Sequence, residues 1–159
     1  MTEGSGTGSP ATPAGDEGGV RQVFIEDMEV GMTAALERVL DEAAVRTFAE
    51  ITGDVNPVHL DADYAAGTMF GRPIAHGMLT ASLISAVLGT RLPGKGAIYV
   101  SQTVQFRAPV FVGDVVKAEV EITAIDRRRR RVTFATRCFV GEKEVLRGEA
   151  VLIAPSREK

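Results

Sequence analysis

The segment GMLTASLISAVLG at residues 77–89 decides the fold, because nearly every residue in it is apolar or small. A helix that is apolar on most sides is buried on most sides. This segment therefore predicts a long helix that is buried on most sides.

The chain after this helix changes to a two-residue hydrophobic period. The change follows the turn-forming residues Pro93-Gly94-Lys95-Gly96, and further turns are marked by Gly113-Asp114 and Gly141-Glu142. Alternation of this kind between turns predicts strands that pair consecutively and antiparallel. The predicted strands cover residues 98–106, 116–124, 132–140 and 145–153.

A strand, a helix and a loop are predicted before the apolar helix. The strand covers residues 32–39. Asp41 is a candidate N-cap of the next helix and Gly53 a candidate end, because a helix C-terminus often needs a residue with positive φ. Residues 54–76 are predicted to be loop-like, with a short helix over 61–66. Helices early and strands late indicate an α+β domain, in which a curved antiparallel sheet wraps the apolar helix.

The composition places one domain at residues 21–155. Residues 1–20 are rich in Gly, Ser, Thr and Pro, which predicts a disordered tail, and residues 156–159 form a short C-terminal tail. A net charge of −3 and the lack of Trp favour neither nucleic acid nor a membrane surface as a partner. No apolar run reaches the roughly 18–20 residues that span a bilayer. No signal-peptide pattern is evident, so a cytoplasmic location is expected.

The single cysteine, Cys138, excludes an intrachain disulfide. It lies on one face of an alternating segment, which favours a buried structural thiol over a catalytic one.

The loop GDVNPVHLD at residues 53–61 carries a candidate acid/base pair, Asp54 and His59. Pro57 disfavours helical geometry for Asn56, so the loop is expected to be extended and constrained there. A constrained loop can hold two titratable groups at the fixed separation that proton transfer requires. Alternatively, Asp54 only caps the turn and His59 is an interior side chain with satisfied hydrogen bonds.

Gly77 adds a candidate anion site at the start of the apolar helix. A helix N-terminus carries unpaired N–H groups and a positive partial charge. Glycine there lets a ligand oxygen approach the backbone, so an N–H group could stabilise the enolate oxygen of a reacting thioester. Alternatively, Gly77 merely permits tight packing.

The loop and the helix start together resemble the MaoC-like hydratases, and within them the (R)-specific enoyl-CoA hydratases. The resemblance covers nearly everything except the N-terminal tail, and the Asp-x-Asn-Pro-x-His pattern followed by His-Gly is its most specific part. The motifs that carry it are FAE (48–50), GDVNPVH (53–59), FGRPIAHGML (70–79), LPGKG (92–96), FRAPV (106–110) and VGD (112–114).

This resemblance implies a hotdog fold, a long helix wrapped by an antiparallel sheet, usually paired as a homodimer. It implies that Asp54 and His59 form a catalytic dyad and that the N–H group of Gly77 contacts the oxyanion. The implied reaction is the reversible hydration of a trans-2-enoyl-CoA to an (R)-3-hydroxyacyl-CoA. No cofactor is expected, because the thioester itself acidifies the α-carbon.

Three further residues are candidates for supporting roles. Asn56 either orients the catalytic water or Asp54, or bonds its own turn. Ser85, two helical turns after Gly77, either reaches the active-site cavity, which the resemblance supports, or packs the helix. His76 is expected to support the helix start, with direct proton transfer as the alternative.

A metal site and the arginine run each have a simpler interpretation. Asp54, His59, Asp61 and Asp63 lack a second suitably spaced His or Cys, so no metal is expected. The run at residues 127–131 is interpreted as a solvated hairpin turn, with attraction of CoA phosphates or an acidic carrier protein as the alternative.

Other functions remain open from the sequence. One is a 3-hydroxyacyl-ACP dehydratase subunit of fatty-acid synthesis. A second is a hotdog acyl-CoA thioesterase, which commonly uses a carboxylate on the central helix, where residues 78–88 contain no Asp or Glu. A third is a noncatalytic partner subunit, against which the presence of both Asp54 and His59 counts.

Overall fold

The computed structural model describes residues 19–159, so the predicted tail at residues 1–20 lies almost entirely outside the described part of the chain. A 3-10 helix at Ile25–Asp27 precedes the regular elements. The helices are α1 (Glu42–Thr52), α2 (Pro57–Leu60), α3 (Ala62–Ala66) and α4 (Gly77–Thr90). The strands are β1 (Thr33–Val39), β2 (Ile98–Gln102), β3 (Gln105–Phe106), β4 (Val115–Asp126), β5 (Arg131–Val140) and β6 (Lys143–Ile153).

A six-stranded antiparallel sheet has the order β1-β4-β5-β6-β2, with β3 also paired to β6. The α+β layout is thus confirmed, and so is consecutive pairing from β4 to β6. Consecutive pairing is wrong for the strand predicted over residues 98–106, since β2 and β3 pair with β6 and not with β4. Strand β1 adds to the other side of β4.

The strand predicted over residues 98–106 is divided into β2 and β3. Between them the carbonyl of Thr103 comes so close to Gly148 that a Cβ atom at Gly148 would lie 1.8 Å from the Thr103 oxygen. The chain therefore leaves the regular ladder where it passes over this glycine, and the alternation of side chains gave no sign of the break.

The core forms where α4 packs against the inner face of the sheet. From α4 it includes Leu83, Ile84, Val87 and Leu88, each at most 8% exposed. The opposite face of α4 is not covered, since Met78 is 59% exposed and Ser82 and Ser85 are also exposed. Within this chain the sheet therefore wraps only one side of α4, and the other side stays open.

Both predicted ends of α1, at Asp41 and Gly53, are confirmed. The Asp41 side chain accepts a hydrogen bond from the Ala44 N–H group at 2.9 Å. Gly53 ends the helix with φ +78° and donates its N–H to the carbonyl of Ala49. A residue with a side chain would be strained in that left-handed conformation.

The loop after Gly53 contains a helical turn that was not predicted. Pro57 is the first residue of α2, a position that suits proline because its missing N–H would have no helical partner there. Asn56 remains outside the helical region, with ψ 127°, as a residue before proline should. His59 therefore lies on a short helix and not in an extended loop.

The arginine run forms the turn between β4 and β5 as predicted, but two of its side chains are bound to the protein. Arg127 donates to the carbonyls of Ile25 and Met28 at 2.5 and 2.8 Å, and Arg130 donates to the carbonyl of Glu158 at 2.9 Å. Arg127 is nevertheless exposed and Arg130 is half-buried, so the turn is solvated as predicted while these two guanidinium groups also bond to the protein. In the part of the chain that the structure describes, no helix is long and apolar enough to cross a bilayer.

Candidate active site

Two connections bring the loop after α1 next to the start of α4. The N–H group of Ile74 donates to the carbonyl of Val58 at 3.2 Å, and that of Ala75 donates to the carbonyl of Val110 at 2.7 Å. An isolated antiparallel bridge joins Ile74 to Phe111. The chain therefore returns past α2 before α4 begins, which places the first residues of α4 beside Asp54.

Asp54 and His59 lie together, and His76 joins them. A carboxylate oxygen of Asp54 and one ring nitrogen from each histidine all lie within 4.8 Å of one another. Asp54 is exposed, His59 is partly buried and His76 is only 2% exposed. The residues predicted as an acid/base pair are thus neighbours in space as well as in sequence.

The hydrogen bond of His59 assigns its tautomer. Its Nδ1 atom lies 2.7 Å from the carbonyl oxygen of Ile74. A carbonyl oxygen can only accept, so Nδ1 carries the proton. In the neutral ring Nε2 then holds the free electron pair, which is what a general base requires.

His76 contacts both members of this pair. Its Nε2 atom lies 2.9 Å from the carbonyl oxygen of Asp54, so by the same reasoning Nε2 carries a proton. The His76 ring stacks on the His59 ring with centroids 3.8 Å apart, and Phe48 lies against it at 4.8 Å. The sequence alone suggested neither the Phe48 contact nor the use of the Ile74 carbonyl, because backbone groups and distant packing leave no local pattern.

The Asn56 side chain forms a hydrogen bond within its own turn. Its side-chain oxygen accepts from the N–H group of Val58 at 3.2 Å, which caps α2. Its own N–H group donates to the Asp54 carboxylate at 3.3 Å. Of the two roles considered for Asn56, the geometry favours the turn bond, and through the backbone it also helps to hold the Asp54 carboxylate.

A cavity of about 500 Å³ opens beside Asp54 and the start of α4; we call it the α4 cavity. Mostly apolar side chains with a few polar groups at one end are typical of a site for a small organic ligand. His59 does not line it and borders a separate cavity of about 130 Å³, so Asp54 connects His59 to the larger space. The α4 cavity is lined by Asp54, Phe70, Ile74, Ala75, Gly77, Met78, Thr80, Phe106, Arg107, Ala108, Pro109, Val110, Val145 and Leu146.

Gly77 forms part of the wall of the α4 cavity and is the first residue of the 14-residue helix α4. N–H groups in the first turn have no partner within the helix and lie at its positive end. A Cβ atom at this position would lie 2.6 Å from Cε1 of Phe106. The lack of a side chain therefore lets the Phe106 ring approach the backbone here.

Ser85 is not brought to this cavity. It is exposed on the uncovered face of α4 and is absent from the cavity wall in the single chain. Its contribution to the site stays a prediction.

The cluster of Asp54, His59 and His76 also has the composition of a metal site. The sequence argument against a metal relied on the lack of a second suitably spaced histidine, and His76 removes that argument. The expectation that the site works without a metal stays a prediction.

Comparison with known proteins places the chain in a family. A family model described as a MaoC like domain matches residues 26–143. A 3-hydroxybutyryl-CoA dehydratase from Methylorubrum extorquens is 52% identical over 140 residues, which is 88% of this chain and 89% of the relative. An (R)-specific enoyl-CoA hydratase from Rhodospirillum rubrum is 48% identical over 134 residues, which is 84% of this chain and 93% of the relative.

A solved structure agrees with these matches. The structure described as an (R)-hydratase from A. caviae involved in PHA biosynthesis superposes with a TM-score of 0.80 and 49% sequence identity, covering 82% of this chain and 99% of that one. This likeness confirms the predicted hotdog fold. The chain belongs to the family of proteins with a MaoC-like domain.

Proposed function

We propose that this protein catalyses the reversible, R-specific hydration of a trans-2-enoyl-CoA to an (R)-3-hydroxyacyl-CoA. The observation that carries the proposal is the placement of His59, whose Nε2 is left unprotonated in the neutral ring, within the same cluster as a carboxylate that borders an apolar cavity. The names of the two relatives support the same reaction, and the names of the Rhodospirillum rubrum relative and of the matched structure support its R stereochemistry.

In the proposed reaction, Asp54 and His59 hold one water molecule between them. His59 Nε2 accepts a proton from that water while its oxygen adds to C3 of the enoyl group. The electron pair of the C2–C3 double bond moves toward the thioester carbonyl, whose oxygen the N–H group of Gly77 stabilises. The proton then passes from the dyad to C2, so water supplies both added groups and the enzyme returns to its starting form.

Substitution of the dyad tests the proposal. We expect Asp54→Asn and His59→Ala each to lower kcat by about 10²- to 10⁴-fold, the range in which a positioned acid or base contributes. The measurement is the loss of enoyl-thioester ultraviolet absorbance with crotonyl-CoA, followed by chiral analysis of the product. Asp63→Asn, an exposed carboxylate on α3, is the matched control and should keep full activity.

The same assay separates the alternatives. Near-normal turnover in both dyad variants, with folding verified by circular dichroism, would contradict the proposal. Release of free thiol would indicate a thioesterase, although α4 contains no Asp or Glu that could serve one. Turnover only with an acyl carrier protein substrate would indicate the dehydratase of fatty-acid synthesis, and turnover only after a partner is added would indicate a subunit of a heterodimer.

A homodimer belongs to the same proposal. Strand β2 ends the sheet, and its residues Ile98 and Val100 are 57% and 42% exposed. Beside it lies the uncovered face of α4, with Met78 59% exposed. An open apolar strand edge next to a helix face of Met78 and small residues favours pairing with another copy. The cytoplasmic location and the lack of nucleic-acid and membrane partners stay predictions.

A further inference from the structure

We propose that His76 is a positioning residue for the Asp54–His59 pair: it holds both members in place without touching the substrate. This inference rests on the proposed function. His76 is 2% exposed and is absent from the wall of the α4 cavity. Its effect on the reaction must therefore pass through other residues.

The position of His76 at the N-cap of α4 does not explain why this residue is a histidine. The residues preferred at an N-cap accept a hydrogen bond from the first turn of the helix. The His76 side chain makes no such bond and donates to the carbonyl of Asp54, 22 residues earlier. The expectation that His76 supports the helix start is therefore replaced by a link between the helix start and the loop that holds the carboxylate.

The bond to Asp54 fixes a segment that is otherwise held by local contacts. The Asp54 N–H group donates to the Thr52 hydroxyl at 3.1 Å, and the Asp54 carboxylate accepts from the Asn56 N–H group. Both partners lie within two residues of Asp54, Thr52 at the end of α1 and Asn56 directly before α2. Among the hydrogen bonds of the described residues, that of His76 ties this peptide to a part of the chain 22 residues away.

The stacking contact fixes His59. One edge of the His59 ring is held by the Ile74 carbonyl at 2.7 Å, and the His76 ring covers one face at 3.8 Å. Phe48 in turn packs against His76. A ring held at one edge and covered on one face cannot rotate freely about its bond to Cβ, so Nε2 keeps one direction, as a general base must.

The second ring nitrogen of His76 argues against a role in packing alone. Nδ1 is buried and has no hydrogen-bond partner among the described residues. An unpaired buried polar atom is destabilising, and phenylalanine would fill the same space without it. Histidine at this position is therefore better explained by what its Nε2 proton does.

Two substitutions separate the functions of His76. His76→Phe keeps an aromatic ring against His59 and removes the donor to Asp54, whereas His76→Gln keeps a donor and removes the ring. With crotonyl-CoA we expect His76→Phe to lower kcat about 10- to 100-fold, the cost of a small misplacement of a reacting group, with KM unchanged. His76→Gln should recover part of the loss, and Asp63→Asn serves as the control.

A double substitution shows whether His76 acts through the dyad. In an Asp54→Asn background, His76→Phe should lower the residual rate no further, because the carboxylate whose peptide His76 positions is gone. Independent, multiplying effects would overturn the proposal. So would an unchanged kcat in His76→Phe, or a raised KM with unchanged kcat, which would indicate direct contact with the substrate. If His76→Phe does not fold, the same comparison made with His76→Gln decides.

A measurement without substrate keeps this inference separate from the proposed function. Nitrogen-15 NMR of the imidazole rings should show a single Nδ1–H form of His59 in the parent protein and a mixture of tautomers in His76→Gln, which removes the ring that covers His59. The same single form in both proteins would overturn the positioning role. If the parent protein does not hydrate enoyl thioesters, the proposed function fails, and the NMR comparison still decides the role of His76.

Discussion

Each histidine of the described chain has one ring nitrogen bound to a backbone carbonyl. His59 uses Nδ1 for the Ile74 carbonyl, and His76 uses Nε2 for the Asp54 carbonyl. Because a carbonyl only accepts, each bond assigns one tautomer to the neutral ring. The two rings therefore differ in which nitrogen is not bound to a carbonyl: it is Nε2 in His59 and the buried Nδ1 in His76.

Cys138 provides a prediction at the residue scale. It is fully buried on the inner face of β5, and burial raises the pKa of its thiol from 9.0 to about 12. We expect no reaction with a thiol reagent at pH 8 while the protein is folded, and full reaction in denaturant, because the thiolate is the reactive form. The single cysteine makes the absorbance change unambiguous, and rapid labelling of the folded protein would contradict this account.

The raised pKa of Cys138 also determines how the stability of the folded protein changes with pH. The folded state keeps the Cys138 proton up to about pH 12, whereas the unfolded chain loses it near pH 9.0. Between these values the folded state binds more protons, so the contribution of this group to stability falls as pH rises through that window. The effect should disappear in Cys138→Ala when unfolding is measured across the same pH range.

At the scale of elements, residues adjacent to α1 determine where this helix begins and ends, and its C-terminal end places Asp54 at the site. Asp41 caps the first turn, and Gly53 turns the chain through a left-handed conformation directly before Asp54. The exposed surface of the helix carries the Arg46–Glu42 ion pair at 2.9 Å. Such surface pairs contribute little, so the caps decide where this helix begins and ends.

Removal of the N-cap should therefore weaken α1 measurably. We expect Asp41→Ala to lower the free energy of unfolding by about 1 kcal/mol, measured by urea denaturation. Asp41→Asn keeps an oxygen that can accept from the Ala44 N–H group and should lose much less. Equal losses in the two variants would show that charge, and not the capping bond, is what matters at this position.

At the scale of the whole molecule, the sheet covers one side of α4 and leaves the other open. The open side lies next to β2, the strand whose outer edge has no neighbour in the sheet. A groove of about 400 Å³ lies between α4 and β2. Ser85 lies on this same exposed face of α4. A second copy seated there would cover apolar surface that one copy exposes.

A charge on the edge strand should therefore prevent pairing. We expect Ile98→Lys to convert a dimer into a monomer, since lysine on an edge strand opposes pairing. Light scattering coupled to size exclusion measures the mass directly. Ile51→Lys is the matched control: Ile51 on α1 is 79% exposed, yet it lies away from β2, so its mass should not change. A parent protein that is monomeric at micromolar concentration would contradict the dimer.

The elements with local signatures were predicted well. Asp41 and Gly53 mark α1, the apolar run marks α4, and alternation marks β4 to β6. The predictions failed where contacts with a distant part of the chain determine the local structure, or where an element is very short. The break between β2 and β3 depends on the approach of Thr103 to Gly148, and α2 was missed because a single turn is too short to show a hydrophobic period.

The sequence by itself determined the types of group at the site, the ends of α1, the start of α4 and the family. These properties depend on neighbouring residues or on motifs that can be read in order. Only the tertiary structure decided that His76 lies on His59 and bonds to Asp54, that Ile74 orients the His59 ring, and that one face of α4 stays uncovered. Such contacts depend on the path of the chain between distant segments, and no local pattern of residue types encodes that path.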